Sequence, residues 1–213
     1  MMKTNLKNIT KLTFIGLTLA LTTVSCDKSK DNPGLNLQQE KAEVIAITSK
    51  VLTGNYGNPA NGPSAFGSRY FNVATGANDS IGSGTFHLKF TGSNNGTVAS
   101  NASNYTVKFY NIPKGKSFDD LTINADYNSA TDIGTSGIGR NTTTTAANPE
   151  RNANGWWYYD VSSHQAQAVS NVVLFVNTGS VIYALQPTAV VGEGKATSNR
   201  AKYTFAIGVL NNN

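Results

Sequence analysis

Apolar and polar residues alternate in short runs along most of this chain, a pattern that predicts β-strands. The clearest run is residues 85–90, where Phe86, Leu88 and Phe90 would share the buried face of a half-buried strand. Similar runs predict strands at residues 44–52, 70–73, 97–99, 105–112, 181–185 and 203–209. Because helix-forming runs are almost absent and turn residues are frequent, we predict an all-β domain.

Residues 155–176 are the stretch on which we expect the other strands to assemble. Four aromatic residues stand in consecutive positions: Trp156, Trp157, Tyr158 and Tyr159. Since successive side chains of a strand point to opposite faces, the first and third would share one face and the second and fourth the other. One of the two faces should belong to the core, and the other is a candidate surface. Residues 172–176 are all apolar and predict a strand that is buried on both sides. The polar residues between the two strands predict a turn-like connection.

Clusters of Gly, Pro, Asn and Ser predict the connections between strands. A loop or turn is predicted at residues 55–68, 78–80 and 94–96. Residues 118–123 fit either a strand or part of a longer connection. Residues 124–154 carry no apolar periodicity, which predicts a functional or mobile loop. Pro187 has no backbone N–H, so it places the preceding strand near a sheet edge or at its own end.

The first 25 residues predict a secretory signal, because three lysines precede an apolar run at residues 12–24. This run is too short to span a bilayer as a stable helix. Ser25 then precedes Cys26, the one cysteine of the chain, and this junction resembles the lipobox of bacterial lipoproteins. The resemblance implies that Cys26 carries the lipid; the alternative is an unmodified cysteine near an ordinary cleavage site.

After this junction, residues 26–43 are expected to comprise the acylated cysteine and a flexible tether, and residues 44–213 a single domain. The polar segment at residues 27–34 resembles the charged signal that sends some Gram-negative lipoproteins to the outer face of the outer membrane. We therefore expect a lipid-anchored outer-membrane protein at the cell surface, attached to the membrane through Cys26.

Charge and cysteine content exclude several classes of function. The formal charge of +5 comes from 17 basic and 12 acidic residues. Removing Lys3, Lys7 and Lys11 with the leader leaves 14 basic residues against the same 12 acidic ones, a net charge of +2. With no basic cluster in the remainder, we expect no nucleic-acid partner. With Cys26 acylated, the domain has neither a disulfide nor a thiolate site.

Several features follow one another in a recognisable order. They are the lipoprotein start, the strand at residues 86–90, the run from Gly155 to Asp160 with Ser163 and His164 after it, the apolar strand that ends at Val176, the turn at residues 178–180, and the closing strand at residues 203–205. This order resembles the HmuY-like lipoproteins, which are outer-membrane and secreted proteins of Gram-negative bacteria. Some members of that family capture haem and pass it to an outer-membrane receptor.

The resemblance implies a twisted antiparallel β-sandwich or half-open barrel with long loops that form the ligand site. It also implies haem as the ligand and an outer-membrane haem receptor as the partner. One departure is the turn after Val176. The family normally has a sequence like Arg-Thr-x-Asp-Gly there, whereas this chain has Asn177, Thr178, Gly179 and Ser180.

Haem-binding members of the family hold iron with a pair of axial histidines or, in some relatives, methionine. Both methionines of this chain belong to the leader, so His87 and His164 remain. His164 follows the aromatic strand, near where the family can carry a ligand, although the spacing brings Asp160 closer to that position. His87 has polar neighbours on its strand face, which suggests a solvated sheet surface. The alternative for each histidine is that it binds no iron and is simply hydrogen-bonded within the fold or exposed to solvent. Tyr158 or Tyr159 could instead supply an oxygen ligand to the iron.

The candidate ligand-binding residues are therefore His164, Trp156, Trp157, Tyr158, Tyr159, Asp160 and His87, with His164 as the candidate haem-iron ligand. Trp and Tyr stack on porphyrins, but they stack equally well on the apolar faces of sugars or pack in a core. Two alternative functions are compatible with these residues. The protein captures haem for an outer-membrane transporter, or it is a surface module of the same fold that binds a glycan or a protein through residues 124–154 and the nearby aromatics.

Patterns typical of enzymes are missing from the sequence, so we predict a protein that is not an enzyme. There is no Ser-centred elbow, no metal-binding pair of histidines and no cysteine nucleophile, and nothing singles out a pair of carboxylates. The spacing of Asp126, Asn128 and Asp132 faintly resembles a calcium loop, but it lacks the glycine and glutamate that such a loop requires, which predicts a polar turn. The Gly-rich residues 134–139 lack the lysine of a phosphate-binding loop.

Overall fold

Twelve β-strands form within residues 44–143 and 152–211, the part of the chain that this computed structural model describes. In chain order they are β1 (Val44–Thr53), β2 (Arg69–Phe71), β3 (Asn78–Asp79), β4 (Leu88–Thr91), β5 (Thr97–Ser100), β6 (Thr106–Asn111), β7 (Thr131–Asp132), β8 (Trp157–Asp160), β9 (Gln165–Ala168), β10 (Val172–Asn177), β11 (Ile182–Lys195) and β12 (Ser198–Leu210). All their pairings are antiparallel, which confirms the predicted all-β class. The predicted signal peptide, Cys26 and tether lie outside the described residues.

The strands form two sheets and a separate hairpin. The larger sheet has the order β1-β12-β11-β10-β6-β7, and the smaller one the order β3-β2-β4-β5. The hairpin consists of β8 and β9. Within these described residues no helix has the length and apolarity needed to cross a membrane.

The two sheets face each other across the main core, as in a β-sandwich. The ring of Phe205 on β12 lies 6.3 Å from that of Phe71 and 6.2 Å from that of Phe90, which belong to the smaller sheet. A second, smaller core covers the opposite face of the larger sheet, where Leu121 and Tyr127 pack with Phe175 of β10. Aromatic and β-branched side chains on both faces therefore hold three layers together.

Strand β10 lies between these two cores, with β11 on one side and β6 on the other. Its residues Val172 to Val176 are all 0% exposed. The prediction of a strand buried on both sides is confirmed, because alternate side chains of β10 enter opposite cores.

The aromatic strand β8 divides its side chains between its two faces as predicted. Trp156, just before the strand, and Tyr158 are buried, whereas Trp157 is half-buried and Tyr159 is 40% exposed. The turn-like connection predicted after it is only partly correct, because β9 returns along β8. That strand alternates Gln with Ala, so it lacks the large apolar residues that usually mark a strand.

Strands β11 and β12 form a long antiparallel pair, from Tyr183 with Val209 to Lys195 with Ser198. Pro187 was predicted to lie near a sheet edge or at the end of its strand. The edge position is confirmed, because the pairing of β11 with β10 stops at Leu185, whereas the strand itself continues for eight more residues to Lys195. Pro187 is tolerated because the register shifts at this point, and because the pairing of β11 with β10 already ends at Leu185. We call the part of the two strands beyond Pro187 the ribbon.

The chain between β6 and β8 contains short helical turns and a strand where the sequence predicted mainly a loop. Residues 118–123 do not form a strand: Phe118–Asp120 is one turn of 3₁₀-helix, and Ile123–Tyr127 is a single π-helical turn. In the described part of residues 124–154, β7 pairs with β6, and Ile138 and Arg140 form isolated bridges with other strands. The predicted turn at residues 78–80 contains a short strand, since Asn78 and Asp79 pair with β2.

Candidate functional site

A groove opens between the β8–β9 hairpin and the ribbon. Its volume is about 630 Å³, within the range of roughly 300–1,000 Å³ that is typical of small-molecule sites. Its lining comprises Trp157, Tyr159, His164, Gln165 and Ala166 from the hairpin, residues 190–196 and 199–201 from the ribbon, and also Asn94 and Arg140. We call it the hairpin–ribbon groove.

Trp157 fixes the base of the hairpin. Its indole Nε1 donates a hydrogen bond to the backbone oxygen of Gly96 at 2.8 Å. A Cβ atom at Gly96 would lie 2.9 Å from the Trp157 ring, so the indole fits only because residue 96 is glycine. The close contact joins the hairpin to the turn between β4 and β5.

Tyr159 presents the most exposed aromatic ring of the groove, because it lies on the outer face of β8. The guanidinium of Arg140 lies 5.9 Å from the centre of this ring, at the outer limit of a cation–π contact. The two side chains together offer a flat aromatic surface next to a positive charge.

His164 lies at the end of the hairpin turn, with an exposed side chain and a backbone φ of 55°. A residue with a Cβ atom rarely adopts this left-handed conformation, so the surrounding turn must hold it there. The carboxylate of Asp160 accepts hydrogen bonds from the backbone N–H of Ser162 at 2.9 Å and from the hydroxyls of Ser162 and Ser163 at 2.7 and 2.8 Å. The side-chain hydrogen bonds from Ser162 and Ser163 lower the pKa of Asp160 to about 2.

The ribbon contributes charge and an apolar wall. Glu193 forms ion pairs with Arg200 at 2.8 Å and with Lys202 at 2.6 Å, and hydrogen bonds from both cations lower the pKa of its carboxyl group. The Arg200 guanidinium also lies 4.4 Å from the centre of the Tyr56 ring, which fixes its orientation. Val191 is 54% exposed and lines the groove opposite the hairpin.

Two of the aromatic candidates belong to the core and not to the groove lining. Trp156 is 0% exposed, its ring makes an edge-on contact with Tyr203 at 4.8 Å, and its Nε1 donates to the oxygen of Ile138 at 3.2 Å. Tyr158 is also buried, and its hydroxyl donates to Gln167 Oε1 at 3.2 Å. These two residues hold the hairpin, while Trp157 and Tyr159 face the groove.

His87 lies in the protein interior, so the prediction of a solvated sheet face is wrong. Its side chain is 7% exposed, and its Nδ1 accepts a hydrogen bond from the backbone N–H of Val73 at 3.2 Å. The imidazole packs edge-on against Tyr105, with ring centres 4.9 Å apart, and stacks at 6.4 Å on Tyr183. The polar neighbours misled the prediction because strand β4 begins only at Leu88, one residue later. Burial lowers the pKa of His87, which favours the neutral imidazole.

The donor set of the groove fits a haem held by one histidine and does not fit a pair. His164 is the one histidine that lines it, and His87 is not among the lining residues. A planar ligand with carboxylates would meet the Tyr159 ring and Val191 as apolar contacts, and Arg140, Lys195 and Arg200 as cations. Asp160 does not offer a free oxygen ligand, because its carboxylate is already bonded within the turn.

The acidic residues of the predicted polar turn are used within the fold. Asp126 is 1% exposed and forms an ion pair with Lys116 at 2.6 Å, and it also accepts hydrogen bonds from Tyr110 and the backbone of Thr122. Burial opposes ionisation of Asp126, but Lys116, Thr122 and Tyr110 together lower its pKa. Across residues 44–143 and 152–211, no group of three or more His, Cys, Asp and Glu side chains is arranged to hold a metal ion.

Sequence reasoning found the hairpin half of the groove and missed the ribbon half. Val191, Glu193 and Arg200 were not among the candidates, although all three line the groove, and Arg140 was included only as part of the segment 124–154. One signal was available: residues 189–195 and 198–204 flank a two-residue connection, and an acidic residue of the first segment, Glu193, can face the basic residues Arg200 and Lys202 of the second across a hairpin. Comparison of the chain with family models, curated proteins and solved structures found no match.

Proposed function

We propose that this protein is a non-enzymatic lipoprotein of the HmuY-like type that captures haem in the hairpin–ribbon groove. The observation that carries the proposal is the position of His164, an exposed imidazole in a groove that also contains an exposed aromatic ring and several cations. Imidazole is the commonest protein ligand of haem iron. Haem is the cargo here, and the protein supplies its binding surface.

Each wall of the groove would contact a different part of the cargo. His164 offers an axial nitrogen from the hairpin, and Tyr159 offers an aromatic surface from the same side. Val191 offers an apolar contact from the ribbon. Arg140 and Lys195 would attract the carboxylates of haem, because both line the groove, whereas Arg200 is already paired with Glu193.

The cellular setting of the proposal rests on the predicted N-terminus. A lipid on Cys26 would attach the protein to the outer membrane with the domain at the cell surface. There it would take up haem and pass it to an outer-membrane receptor. Because the groove is open on one side and bounded by surface hairpins, cargo could be transferred without unfolding the core.

A haemin titration of the full chain in detergent tests this function. We expect a saturable Soret band for the natural chain and for Val161→Ala, which alters an exposed residue at the hairpin tip outside the groove lining. His164→Ala should abolish the band or shift it, because the axial nitrogen is lost. A non-saturating response of the natural chain, or an unchanged spectrum for His164→Ala, would contradict haem capture through this site.

A glycan is the second candidate ligand, and the polar lining of the same groove favours it. Asn94, Gln165 and Asn199 line the same groove as the exposed ring of Tyr159, a combination of amides and an aromatic ring that is typical of sugar-binding surfaces. An oligosaccharide array separates the two functions. Tyr159→Ala should remove binding to a glycan while His164→Ala leaves it intact, whereas haem capture requires His164.

A further inference from the structure

The turn that carries His164 is held by one carboxylate that accepts four hydrogen bonds. Oδ1 of Asp160 accepts from the backbone N–H and the hydroxyl of Ser162, and Oδ2 accepts from the Ser163 hydroxyl at 2.8 Å and from Gln167 Nε2 at 3.3 Å. A carboxylate offers about four acceptor positions, so all of them are used. Asp160 therefore has no free position with which to bind a ligand itself.

The same network extends from the core to the groove. Gln167 on β9 donates to Asp160 and accepts from the hydroxyl of Tyr158, which is buried between the hairpin and the main core. The chain of contacts therefore runs from Tyr158 through Gln167 and Asp160 to Ser163, the residue directly before His164. A rigid core side chain in this way fixes a turn at the molecular surface.

The conformation of His164 is the reason why such a support is needed. Its φ of 55° is disfavoured for any residue with a Cβ atom, and an unsupported turn would relax away from it. Relaxation would carry the imidazole away from its place beside Tyr159 in the groove lining. Ligand-bearing side chains commonly depend on such supporting hydrogen bonds.

We infer that Asp160 is the positioning residue of the site, which holds His164 in its left-handed conformation so that the imidazole faces the cargo. The inference rests on the proposed function for the identity of the cargo. It assigns Asp160 a role through His164 and not as a ligand. The buried base of the hairpin and the fully hydrogen-bonded carboxylate of Asp160 together hold the strained backbone of His164 in place.

Asp160→Asn is the first test, because asparagine keeps the shape of the side chain but replaces two acceptor positions with donors. In the ligand-free chain, we expect the NMR order parameter of the His164 backbone to fall from roughly 0.85 to below about 0.6. Asp132→Asn is the matched control, because Asp132 caps an exposed turn at Gly134 outside the groove lining. If the order parameter of His164 is unchanged in Asp160→Asn, the inference is wrong.

A double-mutant cycle with haemin is the second test. Measured by quenching of tryptophan emission, to which Trp157 in the groove contributes, Asp160→Asn should weaken haemin binding about tenfold in the natural chain and should cause no further loss of the residual binding in the His164→Ala background. An equal loss in both backgrounds would show that Asp160 does not act through His164. If the natural chain binds no haemin, the proposed function fails while the order parameter still decides the positioning role.

Ser163→Ala provides the same measurement if Asp160→Asn does not fold. It removes a single donor to Oδ2 and leaves the other three hydrogen bonds in place. We expect a smaller decrease in the His164 order parameter in the same direction. No decrease in this folded variant would contradict the inference.

Discussion

His87 and His164 are the two histidines of the chain, and they lie in opposite environments. His164 is exposed on a surface turn, whereas His87 is enclosed between Tyr105 and Tyr183 and accepts a hydrogen bond from Val73. A protonated imidazole has no acceptor nitrogen, so protonation of His87 would break that hydrogen bond as well as place a charge in the interior.

The buried imidazole predicts that stability decreases in mild acid. Because the pKa of His87 in the folded state lies below its unfolded value of about 6.5, the unfolded state binds the proton first. The contribution of His87 is therefore present above about pH 6.5 and is lost as the pH falls toward its folded pKa. Urea unfolding at pH 7.5 and pH 5 measures the decrease.

His87→Phe separates this effect from other titrations. Phenylalanine leaves the Val73 N–H without an acceptor, so we expect a loss of about 1–3 kcal/mol at pH 7.5 but a smaller further loss at pH 5 than in the natural chain. Val161→Ala is the control, since it alters an exposed residue that does not titrate and should keep the natural pH dependence. A His87→Phe variant with an undiminished pH dependence would rule out His87 as its source.

At the scale of single elements, the β8–β9 hairpin is joined to the rest of the site by one close contact. The Trp157 ring lies directly against the backbone of Gly96, in the turn between β4 and β5. Any side chain at position 96 must displace this ring, and with it the hairpin that carries Tyr159 and His164.

Gly96→Ala should therefore disturb both stability and the groove. We expect a loss of about 1–3 kcal/mol from overpacking and a change in the tryptophan emission spectrum as the indole moves. Gly192→Ala is the matched control in the ribbon, because an added Cβ there meets no atom within 4 Å. Its stability should stay within about 0.5 kcal/mol of that of the natural chain. Equal stability of the two variants would contradict a tight contact at Trp157.

The strands differ in how well they could be predicted from the sequence. Strand β10 was predictable because it is an uninterrupted apolar run, and the second half of β12 because Tyr203, Phe205 and Ile207 recur at every second position. Strands β3, β7 and β9 consist of two to four mostly polar or small residues and depend on a neighbouring strand for their formation. The aromatic half of the groove was predictable because four aromatic residues stand in consecutive positions. The ribbon half was not, because its residues are mostly small or polar and show no repeat of large apolar side chains.

At the scale of the whole molecule, Phe205 is the residue at which the layers meet. Its ring contacts Phe71 and Phe90 of the smaller sheet and lies 5.6 Å from that of Trp156 beside the hairpin. It is 0% exposed and stands near the middle of β12, a strand paired on both sides. Loss of this ring would leave a cavity that all three parts border.

Phe205→Ala should destabilise the protein by about 3–5 kcal/mol. Thr204→Ala is the matched control on the opposite face of the same strand, where we expect a change of about 0.5 kcal/mol. Chemical denaturation followed by circular dichroism measures both. A loss in Phe205→Ala no larger than that in Thr204→Ala would mean that the sheets are held together elsewhere.

The pairing of the first and last strands also determines how the molecule bears a mechanical load. Val44 at the start of β1 pairs with Leu210, while Thr53 at its other end pairs with Lys202, next to the ribbon residues that line the groove. The ten residues of β1 span roughly 30 Å at about 3.3 Å each. If the proposed lipid tether pulled at Val44 while the proposed receptor pulled at the groove, the domain would be stretched along β1. All hydrogen bonds between β1 and β12 would then resist together in shear, and the chain would withstand far more force than if the strands were peeled apart one bond at a time.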